Sequence, residues 1–199
     1  QFLRQDTARR NSYYAFGCPS SDLPHRFASK NKKCVNCLPH MRDVTLCFLL
    51  KDEEILLAIK KRSLSGFGAA IGKLNGVGGK VDEGEGIRTA AIRELKEEIG
   101  VSVKENELEE VGNIRFHFKD KPEWDQHVHI FTVRSWEGEP QESEEMKPQW
   151  FDIKDIPFDA MWPDDKHWLP MVLAGKKVEG EFNLINEGAH VDGFDIREV

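Results

Sequence analysis

Apolar residues fill "VTLCFLL" (44–50) and return in "ILLAI" (55–59), with polar "KDEE" (51–54) between them. Short unbroken apolar runs flanked by turn residues predict strands over 43–50 and 54–60, of the length of buried strands. Next comes "RSLSGFGAAIGKLNGVGGK" (62–80), whose six glycines suit a loop that needs close backbone contact. Ile87, Ala91, Leu95 and Ile99 then recur every four residues. That stripe predicts a helix over 87–99, stopped by Gly100. Strand patterns follow at 111–118, 127–136 and 149–157. A second helix is expected over 163–177, with aspartates in its first turn and lysines at its end; Pro170 either kinks it or marks its true first turn. The tail reads as two strands joined by a turn around Asn186–Gly188. Strands with interspersed helices indicate an α/β domain built on a mixed sheet.

Charge divides the chain unevenly. The net charge of −7 combines +5 over residues 1–40 with −12 over 41–199. An acidic main domain argues against a nucleic-acid polymer as partner and suggests that any polyanion is met through cations. Residues 1–40 read as a basic extension, disordered or lying upstream of the native product, with the working domain at 41–199. Within them Cys34-x2-Cys37, Cys18, His25 and His40 raise the question of zinc. One CxxC without a second spaced pair is a weak signal, so incidental thiols on a basic arm are the expectation. Cys47, inside a strand pattern, reads as a small core residue. No apolar run approaches the ~20 residues of a membrane span, and no stretch is built like a secretory signal. A cytoplasmic monomer without membrane partners is expected.

One feature of the first helix is unfavourable as it stands. Glu94, Glu97 and Glu98 lie at i, i+3 and i+4, on one face and next to the apolar stripe. Like charges so spaced repel by roughly 0.2–0.5 kcal/mol per pair. They also sit at the helix's negative end. A hard divalent cation would reverse the balance, because Mg²⁺ takes carboxylate oxygens together with substrate phosphates. Arg93 is placed to pair with a carboxylate such as Glu85, eight residues earlier, and to orient the cluster.

The surrounding segment "GGKVDEGEGIRTAAIRELKEEIGV" (78–101) contains Gly79, Glu85, Arg93-Glu94-Leu95, Glu97-Glu98 and Gly100-Val101, nine fixed positions across 23 residues. It resembles the Nudix box at each of them. The resemblance implies the Nudix fold, a mixed β-sheet sandwiched between helices, and hydrolysis of a nucleoside diphosphate linked to another group. It implies Mg²⁺, with Mn²⁺ as an alternative, held by the Gly79 carbonyl, Glu94, Glu97 and Glu98. Arg93 is then the orienting residue, Glu97 or Glu98 the general base, and Glu145 a downstream carboxylate brought to the metals.

Further matches, "LNGVGGKV" (74–81), "GNIRFHF" (112–118), "EMKPQWF" (145–151) and above all "MWPDD" (161–165), resemble the MutT-homologue branch of that family, which hydrolyses oxidised purine nucleoside triphosphates. On that resemblance Asn75, Trp162, Asp164 and Asp165 line a base pocket, Thr45, Phe67 and Phe116 form its wall, and Lys60 lies near its mouth. The implied reaction releases pyrophosphate and the monophosphate from 8-oxo-dGTP or 2-hydroxy-dATP, sanitising the nucleotide pool. Leu74 and Val77 stand where this branch carries Trp and Phe, and the loop 63–72 is longer, so a wider pocket wall is expected. Alternatives are a pyrophosphatase for ADP-ribose or a dinucleotide, and a non-catalytic nucleotide-binding regulator. A regulator of this kind usually loses box carboxylates, which are all present.

Overall fold

A computed structural model describes residues 41–62 and 70–199. The expectations for residues 1–40, zinc included, and for Phe67 fall outside them. Among the described residues eight strands form one sheet: β1 (Arg42–Lys51), β2 (Glu54–Lys60), β3 (Leu74–Asn75), β4 (Leu108–Phe118), β5 (Gln126–Val133), β6 (Met146–Asp152), β7 (Val178–Ile185) and β8 (His190–Glu198). Their order is β3-β2-β1-β5-β4-β7-β8, with β6 on the other side of β2. β1 with β5 and β4 with β7 run parallel; the remaining pairs are antiparallel. The helices are α1 (Ile87–Ile99) and α2 (Asp165–Leu173).

Two cores explain the unbroken apolar runs. Phe48 and Leu50 of β1 and Ile55 and Leu57 of β2 pack into a cluster with Trp168, Leu169 and Val172 of α2. Their neighbours Cys47, Leu49, Leu56 and Ala58 pack with Ala91, Leu95 and Ile99 of α1. Successive strand residues point to opposite faces, so a strand covered by a helix on each side must be apolar at every step. The expected sandwich of a mixed sheet between helices is the arrangement found. Cys47 is buried, and burial pushes its thiol well above the ordinary range, as suits a core residue.

α1 has the predicted bounds. Gly100 adopts φ 79° and its N–H returns to the Lys96 carbonyl at 3.1 Å, the left-handed stop that glycine makes without steric cost. α2 is shorter than expected, because Ala174 and Gly175 (φ 82°) end it before the lysines. It also keeps Pro170 within its length. Among the described residues no helix is long and apolar enough to cross a membrane.

The sheet is prised open at one place, and the site lies there. β1 pairs with β2 only over Leu49–Lys51. Earlier along β1 that edge is taken by the glycine loop, through Thr45 N–H to Gly79 O (2.8 Å) and reciprocal bonds between Cys47 and Val77 (2.7 and 2.9 Å). A Cβ on Gly78 would lie 2.1 Å from the Thr45 carbonyl oxygen, so the approach requires glycine. β2 continues instead with β3 and β6, and a cleft opens between the diverging strands.

Candidate active site

A cavity of about 540 Å³ occupies this cleft, within the range of small-molecule sites. Its acidic end is lined by Gly78, Gly79, Glu94, Glu97, Glu98, Lys60 and Glu145. Its other end is lined by Asn75, Phe116, Trp162, Asp164 and Asp165, with Thr45 also on the wall. Thus the described sequence-predicted residues share one cavity, except Arg93 and its partner Glu85, which do not line it.

The acids differ in exposure as their place beside the stripe requires. Glu98 is buried, Glu94 half-buried, and the Glu97 side chain 61% exposed. Glu98 accepts from the Gly78 N–H at 3.0 Å and meets Lys60 Nζ at 3.4 Å. Burial outweighs the Lys60 charge and raises its carboxyl to about 7. Burial also raises Glu94. Lys60, expected at the mouth of a base pocket, is therefore a counter-charge at the acidic end.

Arg93 organises the cluster. Its Nε and Nη2 form a two-pronged bond to Glu85 (2.9 Å each), and Nη2 also reaches the Lys80 carbonyl at 3.0 Å. Its Nη1 bonds Glu94 at 2.8 Å and Glu97 at 3.2 Å. The bond from Arg93 holds the Glu85 carboxyl below its usual range. A planar, permanently charged fork fixes three carboxylates in a way a lysine would not. Gly79 completes the local design. A Cβ there would lie 2.4 Å from Glu94 Oε1, so glycine leaves room for the carboxylate.

These donors fit a hard divalent cation. They are oxygen-only, clustered in one cleft, and graded from buried to exposed so that substrate oxygens can complete the shell. The Gly79 carbonyl accepts the Thr45 N–H at 2.8 Å and the Thr45 hydroxyl at 3.3 Å, and an ion would take the place of the weaker hydroxyl bond. Glu145 reaches the cleft because β6 pairs with β2, with Lys61 N–H on the Glu145 carbonyl at 2.7 Å.

The opposite end is built differently. Asp164 and Asp165 are 4% and 2% exposed. Asp164 Oδ2 accepts the Trp168 indole N–H at 3.1 Å, and Asp165 Oδ2 accepts the Trp162 backbone N–H at 3.0 Å. Burial lifts both carboxyls above their usual range, and Asp165 is lifted further by the neighbouring Asp164 charge. A buried pair of this kind retains a proton, giving one donor beside one acceptor. Asn75 Oδ1 accepts the Gly76 N–H at 2.8 Å, which leaves the N–H side of its amide to donate. Phe116 stacks on Phe182, with ring centroids 5.6 Å apart. Gly188 gives Trp162 its space, since a Cβ there would lie 2.8 Å from the indole.

Two contributors escape sequence reasoning. Lys73 lies 5.0 Å from the Trp162 ring centroid and lines the cavity, from a loop with no local signal. Trp168 holds Asp164 from one helical turn away, and the i, i+4 spacing in "DDKHW" was the available clue. Leu74 and Val77 are 6% and 0% exposed and pack into the two cores, and neither lines the cavity.

The glycine loop, the arginine-ordered glutamates and the split mixed sheet together define a metal-dependent hydrolase of phosphate anhydrides. The NUDIX domain model matches residues 39–172, and the chain belongs to the Nudix family. It is 46% identical over 155 residues to the oxidized purine nucleoside triphosphate hydrolase of Mus musculus, covering 78% of this chain and 94% of that protein. It is 50% identical over 141 residues to the protein of the same name from Danio rerio, covering 71% and 85%. Among solved structures, the MutT protein of Bacillus halodurans aligns with a TM-score of 0.66 at 25% identity, covering 78% of this chain and 97% of that one.

Proposed function

We propose that this enzyme hydrolyses oxidised purine nucleoside triphosphates, such as 8-oxo-dGTP and 2-hydroxy-dATP, to the monophosphate and pyrophosphate. The observation that carries this reading is a single cavity with a carboxylate cluster at one end and a buried Asp164–Asp165 pair beside Asn75 and Trp162 at the other. The two vertebrate relatives, named for this activity, support it.

Glu94, Glu97, Glu98 and the Gly79 carbonyl would hold the cation, with Glu145 closing the shell. Mg²⁺ is the ion favoured, with Mn²⁺ as the alternative. When bound, it supplies charge neutralisation at the phosphate oxygens and a lowered pKa for the attacking water. Arg93 keeps the carboxylates aimed, and Lys60 adds positive charge beside them. Glu98 or Glu97 takes the proton from the attacking water. At the far end Trp162 stacks on the purine, with roughly 1–3 kcal/mol of binding by analogy with base stacking. Asn75 and the half-protonated aspartate pair offer donors and acceptors to the edge of the base that oxidation alters. Action as a monomer in the cytoplasm, where the free nucleotide pool lies, completes this reading.

The test is product analysis of the purified protein with Mg²⁺. The expected result is pyrophosphate release from 8-oxo-dGTP at a kcat/KM above that for ADP-ribose or NADH. Faster cleavage of ADP-ribose or NADH would overturn the assignment.

A further inference from the structure

A second group of ligating side chains stands apart from the cavity. Asp43 of β1 and His127 and His129 of β5 offer one ligand atom each, all within 4.8 Å of one another. His129 Nε2 lies 2.8 Å, and His127 Nδ1 3.3 Å, from the same oxygen, Asp43 Oδ1. Ligands held at about 2.0–2.2 Å by one tetrahedral ion lie roughly 3.3–3.6 Å from each other. The three atoms therefore need only small shifts to share an ion.

The strand register produces this convergence. β1 and β5 run parallel with Asp43 beside His127 and Thr45 beside His129, so two same-face histidines flank one carboxylate. In the metal-free protein each histidine can donate an N–H to that oxygen, and binding an ion would replace those protons. The side chains are 13–38% exposed, which gives an ion access. Both histidines line a trough that also contains Glu110, Glu179, Glu181 and Asp195 against Arg115 and Arg197, an acidic balance that favours a cation. Arg115, opposite His127 in register, has Glu181 opposite it on β7.

We propose that Asp43, His127 and His129 form a second metal site, selective for a borderline ion of the zinc class. Two imidazoles and one carboxylate suit Zn²⁺, whereas the glutamate cluster offers only the oxygens that suit Mg²⁺. Three protein ligands leave a fourth coordination position open. The ion would tie the start of β1 to the start of β5.

The test is calorimetric titration of the full chain with ZnCl₂ in excess Mg²⁺, with Co²⁺ as the spectroscopic substitute. The Cys18→Ser/Cys34→Ser/Cys37→Ser variant should keep one zinc equivalent, with a Co²⁺ spectrum lacking a thiolate charge-transfer band. His127→Gln/His129→Gln should weaken that equivalent at least tenfold. Asp43→Asn, the milder change, should also weaken it. Unchanged zinc binding in the histidine variant would overturn the site, as would loss of all stoichiometric zinc in the cysteine variant. Failure of the wild-type chain to bind one equivalent would do the same. None of these outcomes depends on which nucleotide is hydrolysed.

Discussion

The two ends of the cavity both gather carboxylates, yet they treat charge in opposite ways. At the acidic end Glu94, Glu97 and Glu98 stand on one helix, braced by Arg93 and Lys60 and open enough for an ion. At the base end Asp164 and Asp165 are closed in among aromatic residues, held by an indole and a backbone N–H. One set is arranged around a cation, without which burial raises Glu94 and Glu98 above their usual range. The other is arranged to keep a proton. The same residue chemistry thus serves cleavage at one end and recognition at the other, with burial and the nature of the partner deciding which.

That contrast is broken most severely at the acidic end. Glu98→Gln removes a charge, a cation ligand and a candidate base, and kcat should fall by about 10²–10⁴ for every substrate, as steady-state kinetics will check. Arg93→Ala should weaken metal affinity by about 10–100-fold, read from the Mg²⁺ dependence of rate, with Arg93→Lys restoring little because the fork is lost. Trp162→Ala should raise KM by roughly 10–100-fold with kcat less affected, since stacking of about 1–3 kcal/mol is a binding term.

The smallest effect sharpens the comparison through pH. Glu98 keeps its proton up to about 7 in the folded metal-free protein, above the ordinary 4.5. The folded state then binds more protons than the unfolded state between these values, so this group's contribution is full below pH 4.5 and is lost as pH rises towards 7. Denaturant unfolding in EDTA should show that decline, on the order of 3 kcal/mol at most. Glu98→Gln should flatten it.

The acidic end was legible because it is local. Arg93, Glu94, Glu97 and Glu98 fall within two turns of α1, whose stripe and stop glycine fix its ends. Boundaries elsewhere blurred for physical reasons. β4 begins at Leu108, before the expected 111, because an irregularity between Glu110 and Gly112 breaks the alternation that marks a strand. β5 ends at Val133 although its apolar pattern runs on to Trp136. The base end is assembled from β3, β4 and the approach to α2, and its membership came from resemblance rather than from spacing. The salt bridge from Lys60 to Glu98 and the packing of Lys73 on Trp162 join residues far apart in the chain, for which no local pattern exists. The inward turn of Leu74 and Val77 also depends on which core each strand face meets.

The central claim is that cleavage and base recognition are separable within one cavity. The most direct test is the ratio of kcat/KM for 8-oxo-dGTP over dGTP, measured for the wild type, Glu98→Gln and Asp165→Asn. Glu98→Gln should lower both constants and leave the ratio within about threefold, while Asp165→Asn should reduce the ratio by at least about tenfold, a loss on the scale of one buried hydrogen bond to a charged group. An Asp165→Asn enzyme that loses activity equally on both nucleotides would contradict the account.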